Sequence, residues 1–441
     1  MDIQLMLSNR LRHPASIQSF WVAMTWIVIW NPLLVGCREA AVPEKTVLDP
    51  ASALRQMRLA ISKQDWQTAW DQADVVLQQH PDDPELLVKI ATVAHEVGQP
   101  SRAADLLIDA CRVEGHSDPA RVRRSVVALI EVGRLYDALQ WLEEVVAADP
   151  QQHASRRWLF DLYRSAGDLM AARPHGLMLV RQRQFDSKLL AALASDNQQS
   201  DDATAVKAMV ERNPSDRRPL LKEAELMLAG GQQAEGIELL RSILQQYPQH
   251  PPSAARLCLA LADAGEFDQS ISLADSMTDS PVTRQPSYSI ALGRCQLHND
   301  KSCDAITRFA DAARRNPDLI DAWQGVIESS QRCSSGGDGA QVVPVTEIEN
   351  RVRLLQKLET EVDLFERTGG ISRELAIAAA ESLRDLGRWW EAEAWASLAM
   401  TMPADDSVPA ETVRNQIVTL LRKDTPDQVI SVDPALQWLG Q

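Results

Sequence analysis

Residues 286–317 read PSYSIALGRCQLHNDKSCDAITRFADAARRNP. Numbered from Pro286, the stretch has Leu292 at position 7, Gly293 at 8, Ala305 at 20, Phe309 at 24, Ala312 at 27 and Pro317 at 32. Small residues at 8 and 20 let two helices approach closely, and the larger residue at 24 fills the gap between them. Position 27 is small where a following unit docks. Proline at 32 ends the second helix, because it lacks an N–H and clashes with the preceding turn. The same beat runs along the chain: Gly98, Gly133 and Gly167 lie 35 and 34 residues apart, Gly231 and Gly265 lie 34 apart, and so do Pro214 and Pro248. A period of this length marks an array of helix-turn-helix units, each too small to bury its own apolar face.

The pattern resembles the tetratricopeptide repeat, W-x2-L-G-x2-Y followed by A, F, A and P. Residues 286–317 depart from it at positions 4 and 11, where Ser289 and Gln296 replace aromatics. The match extends over about residues 50–403. Trp66, Ala69, Ala73 and Pro81 hold register in the first unit; Gly98, Ala103 and Ala110 in the second; Gly133, Ala138, Leu142 and Pro150 in the third. The fold class this implies is all-α, a right-handed α-solenoid of about ten tetratricopeptide-like helical hairpins.

The expected organisation follows the beat and its faults. Residues 1–36 form a signal with a short apolar run, and 37–49 a tether. Units one to four span 50–182, with Pro174 disturbing the second helix of the fourth. A degenerate unit fills 183–216, where the register slips and residues 196–202 read as a loop. Units six to eight span 217–319. Units nine and ten span 320–403, interrupted by a Ser/Gly-rich insertion at 333–345 and a long helix over about 346–368. A capping helix (409–422) and an irregular tail complete 404–441, since a solenoid needs a polar outer face at its ends.

Composition agrees with this class. Apolar residues make up 45% of 441 and aromatics only 5%, so Ala and Leu fill most apolar positions, as close helix packing requires. The formal net charge is −16. An acidic surface repels phosphate backbones, so nucleic acid is not the expected partner.

The first residues carry an address. Arg10 and Arg12 precede an uncharged run, Phe20 to Trp30, and then Leu33-Leu34-Val35-Gly36-Cys37. A basic start, a short apolar run and a small residue before a cut site make a secretory signal. The last four residues resemble the bacterial lipobox. In that family the cysteine, here Cys37, becomes a lipid-linked mature N-terminus, and each buried CH₂ of its acyl chains contributes about 0.8 kcal/mol of membrane affinity. Two other readings stay open: a spanning signal anchor, at the short limit of about 20 apolar residues, and an ordinary signal-peptidase cut. Each puts the rest of the chain outside the cytoplasm.

No catalytic chemistry is expected. The eight histidines show no HExxH or other tight ligand spacing, and there is no GxGxxG, phosphate loop or GxSxG. Neither a metal nor a cofactor is implied. Cys295 and Cys303, at positions 10 and 18 of one hairpin, flank its turn on antiparallel helices, which allows a disulfide in an exported protein. The alternative is that they are buried small residues.

The resemblance implies where a partner binds. In tetratricopeptide arrays, positions 2, 5, 9, 12 and 13 of each first helix line a concave groove. That puts Arg123 at position 5 of the third unit and Arg157, Asp161 and Arg164 at positions 5, 9 and 12 of the fourth. Arginine pairs bidentately with carboxylates. The expected partner is therefore a protein or peptide, with acidic groups if these arginines are free. The competing account is a solvated face in which they pair with Asp161 and Glu131. Two functions follow: a membrane-tethered interaction scaffold, or a non-catalytic accessory subunit of an envelope enzyme or assembly complex.

Overall fold

The computed structural model describes residues 50–165, 168–194, 203–212, 214, 216–277, 280–333, 343–403, 410–423 and 434–439. The chain falls into two compact units, residues 1–132 and 133–441. Among the described residues the secondary structure is entirely helical.

The first unit contains α1 (Pro50–Ser62), α2 (Trp66–Asp71), α3 (Ala73–Gln79), α4 (Pro84–Glu96), α5 (Pro100–Val113) and α6 (Pro119–Glu131). Helix α1 packs on α2 and α3, α4 on α5, and α5 on α6. Met57, Ala69, Val76, Ile90 and Leu106 share one buried core.

The second unit begins with α7 (Leu135–Ala148), α8 (His153–Ser165), α9 (Leu169–Arg181), α10 (Ser187–Ala194) and α11 (Ala203–Arg212). It continues with α12 (Arg217–Ala229), α13 (Gln233–Gln246), α14 (Pro251–Asp263), α15 (Phe267–Asp275), α16 (Pro286–His298), α17 (Ser302–Arg315) and α18 (Ile320–Cys333). Helices α19 (Val345–Arg367), α20 (Arg373–Asp385), α21 (Trp389–Thr401), α22 (Ala410–Lys423) and α23 (Pro434–Leu439) complete it. From α16 to α22 each helix packs on the next. These are successive hairpins of the tetratricopeptide type.

The 34-residue echo has a backbone cause. Gly98, Gly231, Gly265 and Gly387 stand between the two helices of their hairpins with φ of +79°, +80°, +78° and +76°. That left-handed conformation favours glycine because a β-carbon is strained there. After α4 the turn closes with Gln99 N–H donating to the Ala94 carbonyl at 2.8 Å. In the unit that begins at Pro286 the same place is taken by Asp300, at φ +57°. A second set of prolines marks the helix starts. Pro84, Pro119, Pro251 and Pro286 open the first helix of their units, where the missing N–H has no helical partner to lose.

Three expectations are corrected. Pro174, expected to disturb the second helix of the fourth unit, lies inside the continuous helix α9. The tail is not wholly irregular: α23 packs on α17 and α19, and Arg314 Nε donates to the Leu439 carbonyl at 2.9 Å. Cys295 and Cys303 do not pair. Cys303 is bonded to Cys333, with Cα atoms 5.1 Å apart, and Cys295 is a buried free thiol. The reason is packing direction. Cys303, in the first turn of α17, meets the last turn of α18, whereas the Cys295 sulfur faces the Phe267 carbonyl of the preceding hairpin at 4.0 Å. The loop expected at 196–202 and nearly all of the insertion at 333–345 lie outside the described residues, as do the signal, the tether and Cys37.

Candidate partner-binding groove

In the first unit, α4 and α6 flank a groove of about 560 Å³. Each helix starts at a fixed point. Asp83 caps α4 by accepting the Leu86 N–H at 3.1 Å, and Asp118 caps α6 by accepting the Ala120 N–H at 2.9 Å. A capping carboxylate satisfies one of the helix's orphan N–H groups. Ala91, Ala103, Leu107, Val127 and Ala128 form an apolar floor. Thr92 and His95 line it from α4, and Ala120, Arg123, Arg124 and Glu131 from α6.

The three arginines of α6 are used differently. Arg121 is spent inside the fold: it pairs with Glu85 and Glu114 at 2.9 Å each and with Asp118 at 3.6 Å. Burial opposes its charge, but the Glu85 hydrogen bond and the surrounding carboxylates outweigh burial and raise its pKa. Arg123 and Arg124 make no hydrogen bond or ion pair among the described residues. Both line the groove, so two guanidinium groups stand beside an apolar floor with their donors uncommitted. Arg123 was expected at this wall. Arg124 was not, because position 6 is not one of the groove positions that the resemblance supplies. The adjacent arginine pair in the sequence was the available signal.

The fourth-unit residues lie in the second compact unit and are arranged otherwise. Arg157 Nε donates to both Asp161 oxygens, at 3.2 and 3.1 Å, and its Nη1 to Asp186 at 3.0 Å. Burial lowers the Arg157 pKa, but Asp161 and Asp186 together raise it above the ordinary value. This guanidinium is occupied, so the competing account of internal pairing describes it. Arg164 lies 5.9 Å from the centre of the Phe160 ring, and its Nε is buried without a hydrogen-bond partner.

Among the described residues no group of three or more His, Cys, Asp or Glu side chains is arranged to hold a metal ion. None of the described helices is long and apolar enough to cross a membrane.

No family model matches the chain, and no curated protein does. Solved structures do. A tetratricopeptide repeat protein from Parabacteroides merdae ATCC 43184 is 12% identical, with 64% of this chain and 98% of that one covered and a TM-score of 0.27. Yeast Tom70 is 11% identical over 89% of this chain and 92% of its own, with a TM-score of 0.26. The Cut9–Hcn1 hetero-tetramer of the APC/C is 12% identical over 88% and 87%, with a TM-score of 0.30. The tetratricopeptide-like fold of this chain rests on its own hairpins, glycine turns and 34-residue period.

Proposed function

We propose that this protein is a non-enzymatic interaction scaffold, held on the extracytoplasmic side of a membrane, that takes an acidic segment of a partner protein into the groove of its first unit. One observation carries the reading: Arg123 and Arg124 line an apolar groove, and among the described residues no carboxylate pairs with either of them. An apolar floor with a few convergent polar groups is the usual form of a binding site. The uncommitted guanidinium groups match the bidentate geometry of carboxylates, the anions a protein partner carries. The address rests on residues 20–37, and the Cys303–Cys333 disulfide agrees with an oxidising compartment.

Affinity capture from detergent-extracted membranes tests this. The unmutated protein should return a stoichiometric partner, and Arg123→Glu with Arg124→Glu should abolish capture while leaving helicity unchanged. Capture that survives the double reversal overturns the groove assignment. Cys37→Ser should end incorporation of a labelled fatty acid; if the unmutated protein takes up no label, the lipid anchor is wrong.

A further inference from the structure

The second unit closes on itself at its weakest repeat. Helix α10 has only eight residues, yet Leu189, Leu190 and Leu193 are at most 4% exposed. Helix α9 packs against it from the same repeat, and α19 and α21 pack against it from far along the chain. Helix α9 also touches α21. The C-terminal segment thus adds a second packing surface to the one that α9 gives the degenerate repeat.

Charge marks this contact. Asp318 receives Arg173 at 3.1 Å, Arg351 at 3.4 Å and Arg388 at 3.5 Å. Burial would raise its carboxyl, but the three guanidinium groups hold it below the usual range. Glu391 takes Arg388 Nε at 3.0 Å and Arg173 at 3.6 Å. Glu393 pairs with Arg183 and accepts Arg414 at 2.9 Å. Arg388 and Arg173 both donate to the Leu193 carbonyl at the end of α10, at 2.8 and 3.4 Å. Buried ion pairs of this kind fix register more than they add stability, because desolvation offsets most of their attraction.

The two sides of the contact have their own support. Helices α20 and α21 pack on each other and on α22, and Trp395 and Phe365 meet edge to face at 5.0 Å. Arg183 is 49% and Arg173 31% exposed, so water reaches the cations on the α9 side. We propose that α21 is an intramolecular ligand of α9 and α10. Glu391 and Glu393 of α21, with Asp318 ahead of α18, latch it on Arg173 and Arg183. The face it covers would fit a partner helix that carries the same acidic pair beside small apolar residues.

The test uses the full chain with Arg173→Glu and Arg183→Glu, and with lysine at both positions as the charge-preserving control. The glutamate variant should exchange amide hydrogens at least about tenfold faster over 187–194 and 389–397, with 251–315 unchanged. It should also bind a synthetic peptide spanning residues 387–402, which the unmutated chain and the lysine variant do not. Unchanged exchange overturns the latch. So does loss of protection throughout residues 133–441, which would make the contact part of one indivisible core. Local opening without peptide binding overturns the ligand assignment.

Discussion

The Phe309 ring stands where a β-carbon on Gly325 would have to be. A β-carbon on Gly293 would likewise lie 2.8 Å from the ring. Gly293 belongs to the same hairpin as Phe309, and Gly325 to the helix that docks next. One phenylalanine therefore sets how closely three helices approach. Gly325→Ala gains about 1 kcal/mol of helix propensity and loses about 1–3 kcal/mol to overpacking. Because the ring is 2% exposed and has no free space to move into, overpacking should win. Urea unfolding followed by circular dichroism should show net destabilisation of up to about 2 kcal/mol, and Phe309→Ala should cost about 3–5 kcal/mol.

Much of this was legible in the sequence because repeat positions encode local geometry. Gly98, Gly231 and Gly265 announce left-handed turns, and Gly293 and Phe309 announce a close crossing. The contact between α9–α10 and α19–α21 was not legible. Nothing in Asp318, Glu391 or Glu393 distinguishes a buried acid from a surface one until distant helices meet. The cysteine pairing failed for a related reason: position 18 faces the next repeat, and a reading confined to one hairpin looks at the wrong neighbour. Periodicity placed Arg123 on the wall, and the competing account named Asp161 as an internal partner, but nothing in the sequence brought Asp186 to Arg157.

That difference predicts opposite behaviour for two arginines at the same repeat position. Arg123→Ala removes an uncommitted side chain, so stability should change by no more than about 0.5 kcal/mol. Arg157→Ala leaves Asp161 and Asp186 without their cation and should cost about 1–2 kcal/mol, as partly buried charge-assisted bonds do. Denaturant midpoints of the two variants check this, and equal midpoints would remove the distinction.

His250 makes stability depend on pH. Its Nδ1 lies 2.7 Å from Ser253 Oγ. Burial first, and then Arg217 and Arg218, push its pKa down to about 4. The unfolded value is about 6.5. Above that value both states are neutral. Between about 6.5 and 4 the unfolded chain binds a proton that the folded chain refuses, so stability falls as pH falls through that window. Below about 4 both states are protonated and this slope ends. The loss over the whole window amounts to about 3 kcal/mol, most of it above pH 4.5. Comparing midpoints at pH 7 and 4.5 for the unmutated chain and His250→Gln isolates it, because only the former should lose this increment.

The Cys303–Cys333 bond closes a loop with a sequence separation of 30. Removing that constraint from the unfolded chain should cost about 3–4 kcal/mol in the chain-entropy account. Cys303→Ser with Cys333→Ser should therefore lower the unfolding midpoint, and reductant should do the same to the unmutated protein but not to the variant. Thiol labelling supplies the second check. Cys111, Cys258 and Cys295 are buried, and burial pushes the Cys258 thiol up to about 12, so they should react only on unfolding.

Pro174 gives the last prediction. It sits inside α9 with its side chain exposed, so it makes no core contact that a replacement would lose. It lacks the N–H that would bond the Met170 carbonyl, and its ring crowds that carbonyl. Alanine there would restore one helical bond, and on propensity alone would stabilise α9 by up to about 3 kcal/mol. The neighbouring Arg173 sets the opposing term. It reaches Asp318 and Glu391 from α9, and a shift of the helix on removing the proline would change those contacts. If the helix term dominates, Pro174→Ala raises the unfolding midpoint and slows amide exchange over 170–178 without changing 389–397. A raised midpoint is the expected result, because Arg173 is a long side chain on the exposed side of the contact and can re-form its pairs after a small shift. A lowered midpoint with faster exchange over 389–397 would instead show that the proline is required for α9 to meet α21.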